Sequence, residues 1–235
     1  MANLQQLKTE LKKLAEKKQA EILQKFFKTG SGQYGAGDIF LGIKVPLQRK
    51  TARQYESLRL ADLQTLLNNK IHEYRLTALL ILLSQYKKAD AEAKKKYVNF
   101  YLKNTKNINN WDLVDLSAPN ILGDYLLDKS RNILYKLAKS RDLWEKRISV
   151  ISTLAFIRNN EFGDTLKICE ILVNDKHDLI HKAVGWMLRE AGKRDRKILE
   201  NFLRKYYKIM PRVMLRYAIE KLSSRKKKFY LGLSR

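Results

Sequence analysis

Cysteine is almost missing from this chain, because Cys169 is the only one among 235 residues. A single cysteine excludes an intramolecular disulfide and a metal site built from cysteines. Cys169 lies in the largely apolar segment 166–173, which favours a buried structural thiol over a reactive one. The histidines His72, His177 and His181 form no HExxH motif and are interpreted as surface or capping residues. The sequence therefore predicts no metal and no cofactor.

Long apolar segments and secretion signals are also missing. The longest uninterrupted apolar run, residues 78–83, is far too short to cross a bilayer. Residues 1–28 are charged and amphipathic, and they contain no apolar core of a signal peptide. The glycine-rich segment 30–38 lacks the Lys-Ser/Thr pair of a phosphate-binding P-loop, so it is interpreted as a shaped loop. These absences predict an intracellular protein with no membrane-spanning segment.

Acidic residues are outnumbered: 24 Asp and Glu stand against 48 Lys and Arg, which gives a formal net charge of +24. Such an excess attracts polyanions, with nucleic acid as the first candidate and an anionic membrane surface as the second. The basic segment 225–235 is interpreted as a solvated tail that adds to this attraction. Proline (3) and glycine (10) are scarce and hydrophobic residues make up 45%, so the chain is predicted to fold.

Helical periodicity runs along the chain, and no segment shows the alternation of a strand. The apolar spacing predicts one long helix over residues 3–27, and Pro46 predicts the first turn of a helix that ends near Tyr55. Further helices are predicted over residues 60–68, 71–86, 89–102, 111–127 (interrupted at Pro119), 133–138, 143–157, 162–173, 179–191, 196–207 and 211–222. The predicted fold is therefore all-α, in a single domain over residues 1–235.

One position recurs along these helices at intervals of 34 to 36 residues, a spacing typical of helical-hairpin repeats. It is occupied by Arg75, Trp111, Arg147, Lys182 and Arg216. Solenoids of such hairpins present one helix of each pair along a concave surface, so this register predicts a basic concave face for a phosphate backbone. The alternative is that these cations pair with acids on adjacent helices, for example Glu73 or Glu190.

Trp111 and Asp115 stand four residues apart, so both lie on one face of a predicted helix. Four residues after Lys182, the same register places Trp186. A carboxylate, aromatic rings and cations suit a reaction that passes through a positively charged state, such as hydrolysis of an N-glycosidic bond. The alternative is that Trp111 belongs to the core and that Asp115 caps a helix or pairs with a neighbouring arginine.

Four motifs resemble, in this order, the AlkD family of DNA alkylation repair proteins, which are DNA glycosylases built from HEAT-like repeats. They are residues 40–46 (FLGIKVP), 111–115 (WDLVD) with 122–124 (LGD), 144–147 (WEKR) and 182–190 (KAVGWMLRE). The resemblance covers residues 26–222. It implies a monomeric HEAT-like α-solenoid that hydrolyses the glycosidic bond of cationic N3- and N7-alkylated purines in double-stranded DNA, with neither metal nor cofactor.

By this resemblance, Asp115 matches the catalytic carboxylate that stabilises the developing sugar cation and positions water. Trp111 and Trp186 match the two tryptophans that pack against the deoxyribose of the lesion. Arg147 matches the arginine that grips the DNA backbone beside it.

The remaining predicted DNA-binding residues are Lys182, Arg189, Arg75, Arg216, Tyr34 and Lys44. The implied location is the cytoplasm, in association with the nucleoid and with no membrane partner. Two alternatives stay open on the same scaffold. One is a non-catalytic binder of duplex or branched DNA, and the other is a protein-interaction solenoid whose basic face meets an acidic partner.

Overall fold

The fold is all-α, as predicted, in the computed structural model, which describes residues 3–232. Its α-helices are α1 (Leu4–Lys13), α2 (Lys17–Phe26), α3 (Val45–Gln54), α4 (Leu60–Leu67), α5 (His72–Lys88), α6 (Ala91–Lys103), α7 (Trp111–Ser117), α8 (Asn132–Ala138), α9 (Leu143–Ser152), α10 (Leu154–Arg158), α11 (Gly163–Leu172), α12 (Asp178–Arg194), α13 (Arg196–Tyr206), α14 (Arg212–Ala218) and α15 (Ser224–Tyr230). None of the helices in this described part is long and apolar enough to span a bilayer.

The chain divides into two compact units, residues 1–113 and 114–235, and the division falls within α7. In the first unit α5 is central, because it packs against α3, α4 and α6 and buries side chains on every turn. In the second unit α12 is central and packs against α9, α13 and α14. The single domain over residues 1–235 stays a prediction.

The repeat register of the sequence corresponds to a repeat of helices. Its five positions lie in the first two turns of α5, α7, α9, α12 and α14, and at least one further helix separates each from the next. Successive pairs of helices therefore recur along the chain, as in helical-repeat proteins. The basic concave face stays a prediction.

The single helix predicted over residues 3–27 is wrong, because the chain breaks between α1 and α2. Glu16 has extended backbone angles and its N–H donates to the carbonyl oxygen of Leu41, 2.9 Å away. Gly42 (φ +85°) lies so close that a Cβ at this position would clash with the carbonyl oxygen of Glu16. A contact with a distant segment thus ends α1, and helical periodicity cannot reveal it.

The segment Leu41–Ile43 is anchored by a side chain instead of a strand. The carboxylate of Glu73, a residue only 1% exposed, accepts hydrogen bonds from the backbone N–H groups of Leu41 (2.9 Å), Gly42 (2.8 Å) and Ile43 (3.3 Å). An isolated parallel bridge between Ile39 and Ile71 adds backbone pairing just before this segment. Glu73 is therefore engaged by these backbone donors, and the interpretation of Glu73 as a partner for a register cation is wrong.

Two predicted helices are interrupted in the second unit. As predicted, α7 does not continue through Pro119: a π-helical turn, Pro119–Gly123, follows it, with the Gly123 N–H bonded to the Ala118 oxygen. The helix predicted over residues 143–157 is instead divided at Thr153 into α9 and α10, because the hydroxyl of Thr153 donates to the Val150 oxygen at 2.7 Å.

The basic C-terminal segment is more structured than the solvated tail predicted for residues 225–235. Ser223 caps α15 by accepting from the N–H of Lys226, and Tyr230 is buried at 9% exposure. The ring of Tyr230 packs edge-to-face against that of Tyr207, with centroids 5.4 Å apart. The packing of Tyr230 against Tyr207 therefore holds in place a segment that its run of lysines predicted to be solvated. Residues 233–235 of the predicted tail lie outside the described residues.

Candidate functional site

Asp115 and Arg147 form a two-pronged ion pair in the second unit. Arg147 donates from Nε to Asp115 Oδ1 at 2.9 Å and from Nη2 to Oδ2 at 2.8 Å. A third donor, Nη1, binds the carbonyl oxygen of Leu179 at 2.6 Å. The Arg147 side chain is 6% exposed, and that of Asp115 is 19% exposed. This fork-to-fork geometry fixes both oxygens of a carboxylate that still reaches solvent.

Trp111 lies at the start of α7, half-buried in an aromatic cluster of the first unit. Its ring stacks on Phe27, with centroids 5.2 Å and planes 13° apart, and it meets Phe26 edge-on at 5.9 Å. Phe26 is 61% exposed, so this cluster reaches the surface. Phe26 and Phe27 were not among the residues predicted for the site. The feature of the sequence that could have identified them is an adjacent aromatic pair at the end of an amphipathic helix.

Behind that cluster lies His72, and the interpretation of this histidine as a surface or capping residue is wrong. His72 is 2% exposed, and its Nδ1 and Nε2 lie 3.2 Å from Asp38 Oδ2 and 2.7 Å from Asp112 Oδ2. Asp38 Oδ2 also accepts from Arg75 Nη2 at 2.6 Å and from Asn110 Nδ2 at 3.3 Å. The end of the glycine-rich loop, α5 and the start of α7 therefore meet at one polar cluster.

Two pKa values in this cluster are displaced. Burial alone would lower the pKa of His72, but the charge and hydrogen bond of Asp112 and the hydrogen bond of Asp38 raise it to about 9. Burial alone would raise the pKa of Asp38, but hydrogen bonds from His72 and Arg75 hold it below its ordinary value. The cluster is therefore populated by ionised groups of both signs at neutral pH.

The other two histidines agree better with the sequence interpretation. Nδ1 of His177 accepts from the N–H of Leu179 at 3.1 Å, so His177 caps α12. Nε2 of His181 lies 2.5 Å from the carbonyl oxygen of Asp175. Cys169 is fully buried, and burial raises the pKa of its thiol, as expected for a structural cysteine.

Trp186 lies half-buried in α12 and is tethered by an acid. Its indole N–H donates to Glu190 Oε1 at 3.2 Å, and the same oxygen accepts from Arg189 Nε at 3.2 Å and from Lys193 Nζ at 2.8 Å. Burial alone would raise the pKa of Glu190, but Lys193 and Arg189 together lower it. Arg189 also pairs with Glu220. Glu190 thus restrains the indole and two cations of its own helix, so the interpretation of Glu190 as a partner for a register cation on an adjacent helix is wrong.

The predicted DNA-binding cations differ in how free they are. Arg75 is buried, with 6% of its side chain exposed and bound to Asp38, so its prediction as a phosphate contact is corrected to a structural role. Lys182 is 39% exposed and pairs with Asp178 at 2.6 Å. Arg216 and Lys44 are exposed, and Tyr34 is half-buried in the glycine-rich loop. Arg216 and Lys44 therefore have the most accessible charges of the predicted set.

A model of the family described as "DNA alkylation repair enzyme" matches residues 7–222. This chain belongs to that family. A search of curated proteins finds no match. The match covers α5, α7, α9, α12 and α14, so the whole repeat register lies within the family region.

Solved structures show that this member of the DNA alkylation repair enzyme family has the fold of its helical-repeat relatives. A protein from Enterococcus faecalis described as a "predicted DNA alkylation repair enzyme" is similar over 89% of this chain and 97% of its own, with a TM-score of 0.70 and 15% identity. AlkD2 from Streptococcus mutans is similar over 92% of this chain and 96% of its own, with a TM-score of 0.53 and 14% identity.

Chemically, the first unit of this family member offers the half-buried Trp111, and the second unit offers the carboxylate of Asp115, the half-buried Trp186 and several cations. Within residues 3–232 there is no group of three or more His, Cys, Asp or Glu side chains that could hold a metal ion. An ionised carboxylate can accept both prongs of a guanidinium and still offer lone pairs to a third group. Asp115 therefore can stabilise a nearby positive charge while Arg147 fixes its orientation.

Proposed function

We propose that the protein is a DNA glycosylase that excises cationic N3- and N7-alkylated purines from double-stranded DNA, in base-excision repair of alkylation damage. The observation that carries the proposal is the Asp115–Arg147 pair, in a chain of the DNA alkylation repair enzyme family. The pair supplies a fixed, partly exposed negative charge at the position that the family resemblance gives to the catalytic carboxylate.

Hydrolysis begins with a leaving group that is already activated. When the bond between C1′ and the alkylated nitrogen breaks, its electron pair neutralises the purine cation, so no general acid is needed. The sugar becomes an oxocarbenium ion, which the carboxylate of Asp115 stabilises electrostatically. Water then attacks C1′, and its surplus proton passes to Asp115 or to solvent. The carboxylate works without reorganising because Arg147 already fixes both of its oxygens.

Trp111 and Trp186 are proposed to pack against the deoxyribose of the lesion. Aromatic faces attract a developing cation, which gives both rings an electrostatic role besides excluding water. Two restraints support these roles: Trp111 stacks on Phe27, and the indole N–H of Trp186 binds Glu190.

Duplex DNA is the proposed partner of a monomeric protein that needs no metal or cofactor, located in the cytoplasm with the nucleoid. Lys182, Arg189, Arg216, Lys44 and Tyr34 are the proposed DNA contacts, and the net charge of +24 supports a polyanion as the partner. The main role proposed for Arg147 is to orient Asp115, because three of its five N–H donors are already engaged inside the protein.

The test is release of free 7-methylguanine and 3-methyladenine from methylated duplex DNA, measured by mass spectrometry under single-turnover conditions. Wild type is compared with Asp115→Asn and Trp111→Ala, and with Asp128→Asn as a control for an exposed acid of the same type. We expect Asp115→Asn to lower the rate by about 10²- to 10³-fold while DNA binding persists. Asp128→Asn should match wild type.

Two outcomes would replace the proposal. If wild type releases no base at concentrations that saturate the DNA, the protein is a non-catalytic binder of duplex or branched DNA. If it also fails to bind DNA at low salt, where phosphate contacts are strongest, the basic surface serves an acidic protein partner.

A further inference from the structure

We propose that His72 is a positioning residue: its imidazolium ties the start of α7, and with it the ring of Trp111, to the end of the glycine-rich loop. The positioning is a property of the first unit alone. Its catalytic consequence rests on the glycosylase function proposed above.

Geometry alone indicates that His72 is charged. Its two ring nitrogens face carboxylate oxygens of different segments, Asp38 at 3.2 Å and Asp112 at 2.7 Å. An ionised carboxylate only accepts hydrogen bonds, so hydrogen bonds to both carboxylates require both ring nitrogens to donate, and only the imidazolium has two donors. Asp112 is the second residue of α7 and follows Trp111 directly. The imidazolium therefore holds the helix turn that carries Trp111.

The faces of the same imidazole ring belong to the aromatic cluster. His72 stacks on Phe40, with centroids 4.6 Å and planes 22° apart, and it contacts Phe27 at 5.1 Å. Phe27 in turn stacks on Trp111. A cation over an aromatic face is attracted by the ring, so protonation strengthens this packing as well as the hydrogen bonds. One side chain thus restrains Trp111 through its helix and through its stacking partner.

Asp38 connects the glycine-rich loop to the backbone of Trp111. Its Oδ2 accepts from Asn110, and Asn110 Oδ1 accepts from the backbone N–H of Trp111 at 2.8 Å. Gly35 in the loop passes so near the chain that a Cβ there would clash with the carbonyl oxygen of Phe27. The loop needs glycine at this position to approach Phe27. The role of this glycine is therefore close packing and not nucleotide binding.

The charged groups that face His72 are Asp38 from the loop, Asp112 from α7 and Arg75 from its own helix. Two negative and two positive charges balance when His72 is protonated, and the raised pKa of His72, about 9, agrees with this balance. Nδ1 makes the longer of the two carboxylate contacts, and Arg75 Nη2 lies 3.4 Å from it. On deprotonation Nδ1 therefore loses its proton, and the hydrogen bond from Nδ1 to Asp38 breaks. Asp112 then no longer faces a positively charged ring.

Fluorine NMR of protein labelled with 5-fluorotryptophan tests the positioning without DNA. The three tryptophan resonances are assigned with single Trp→Phe variants. We expect the Trp111 resonance of wild type to titrate with a midpoint near the His72 pKa of about 9, while those of Trp144 and Trp186 stay constant. In His72→Gln, with its fold checked by circular dichroism, the transition should vanish. A Trp111 resonance that ignores pH, or that titrates equally in His72→Gln, overturns the proposal.

A second variant keeps the test decisive if His72→Gln fails to fold. Asp112→Asn retains the side-chain size and an oxygen acceptor but removes the charge that raises the His72 pKa. The midpoint of the Trp111 titration should then fall from about 9 toward 6.5. Asp90→Asn, at the N-terminus of α6, is the matched control and should leave the midpoint in place. An unchanged midpoint in Asp112→Asn contradicts the proposal.

Single-turnover base release at neutral pH tests the catalytic consequence. Because a misplaced catalytic group can cost up to about a hundredfold, His72→Gln should slow release by about ten- to a hundredfold with DNA affinity retained. A rate equal to that of wild type, in protein whose Trp111 resonance has moved, overturns the catalytic part. If wild type releases no base, the glycosylase function fails, and the NMR result still decides whether His72 positions Trp111.

Discussion

The guanidinium of Arg147 and the carboxylate of Asp115 meet through two parallel hydrogen bonds although 32 residues separate them in sequence. α9 thus fixes the side chain that α7 carries. Arg147 has its third contact at the Leu179 carbonyl, just inside α12, so the carboxylate is oriented by a residue that is itself held by a third helix.

Arg147→Lys should separate orientation from charge. A lysine ammonium keeps the positive charge but cannot make two parallel hydrogen bonds, so Asp115 would lose its fixed orientation. We expect at least a tenfold slower single-turnover base release, since orientation contributes this much or more, and a loss of unfolding free energy of at most about 3 kcal/mol in urea. Arg158→Lys, an exposed arginine of α10, is the control. Wild-type rates in Arg147→Lys would show that charge alone suffices.

Stability should fall at alkaline pH because of His72. Its folded pKa of about 9 lies above its ordinary 6.5, so its stabilising contribution is complete below about pH 6.5 and is lost as pH rises through 9. The total loss is on the order of 3 kcal/mol. Urea unfolding at several pH values measures this loss. His72→Gln is the reference, because both proteins contain Cys169 and the titration of its thiol in the unfolded state affects their stabilities equally. Parallel pH profiles of the two proteins would refute the assignment.

Two glycines offer a matched pair of alanine substitutions. Gly42 (φ +85°) and Gly37 (φ +88°) both have left-handed backbone, but a Cβ on Gly42 would clash with Glu16, whereas nothing lies within 4 Å of one on Gly37. Gly37→Ala should cost only the strain of the left-handed conformation, about 1–2 kcal/mol of unfolding free energy. Gly42→Ala should cost more, because the α1–α2 connection must move. Equal unfolding free energies would mean that this connection gives way easily.

The salt dependence of DNA binding should distinguish Arg216 from Arg75. Arg216 is exposed, so Arg216→Gln should reduce the slope of log K against log salt by about 0.9, the share of one phosphate contact. Arg75 is bound to Asp38 inside the protein, so Arg75→Gln should lower the unfolding free energy and leave the slope unchanged. Fluorescence anisotropy over a salt series measures both slopes. A reduced slope in Arg75→Gln would restore Arg75 as a DNA contact.

Cys169 should be inert in the native protein. It is fully buried and its thiol pKa is raised by burial, so little reactive thiolate is available. Labelling with Ellman's reagent should be slow in buffer and fast in denaturant, and its native rate should report opening of the second unit. Rapid labelling of the folded protein would show that α11 is loosely packed.

Periodicity predicted most of the helices because a helix repeats its own apolar spacing. It failed where a distant segment decides the outcome. The break at Glu16 depends on Leu41 and Gly42, and the docking of α15 depends on Tyr207. Neither contact has a trace in the local sequence pattern.

The candidate site divides in the same way. Trp111, Asp115 and Trp186 could be singled out because their residue types and spacing suggest chemistry. His72 could not, because a lone histidine has no spacing to recognise, and its two carboxylate partners lie 34 and 40 residues away. For Arg75, the register predicted the position on the helix correctly, but burial beside Asp38 depends on the fold of the loop.

Glu73 imposes a particular pattern of tolerance on the segment that it anchors. Its carboxylate accepts hydrogen bonds from the backbone N–H groups of Leu41, Gly42 and Ile43, and none of these bonds involves their side chains. Substitution of the side chains at residues 41 and 43 would therefore not weaken these hydrogen bonds, whereas proline at either position would remove an N–H donor. At position 73 itself, glutamine is the same shape but would turn amide hydrogens toward other donors. The interchange of an acid and its amide, harmless on most surfaces, would here reverse an attraction.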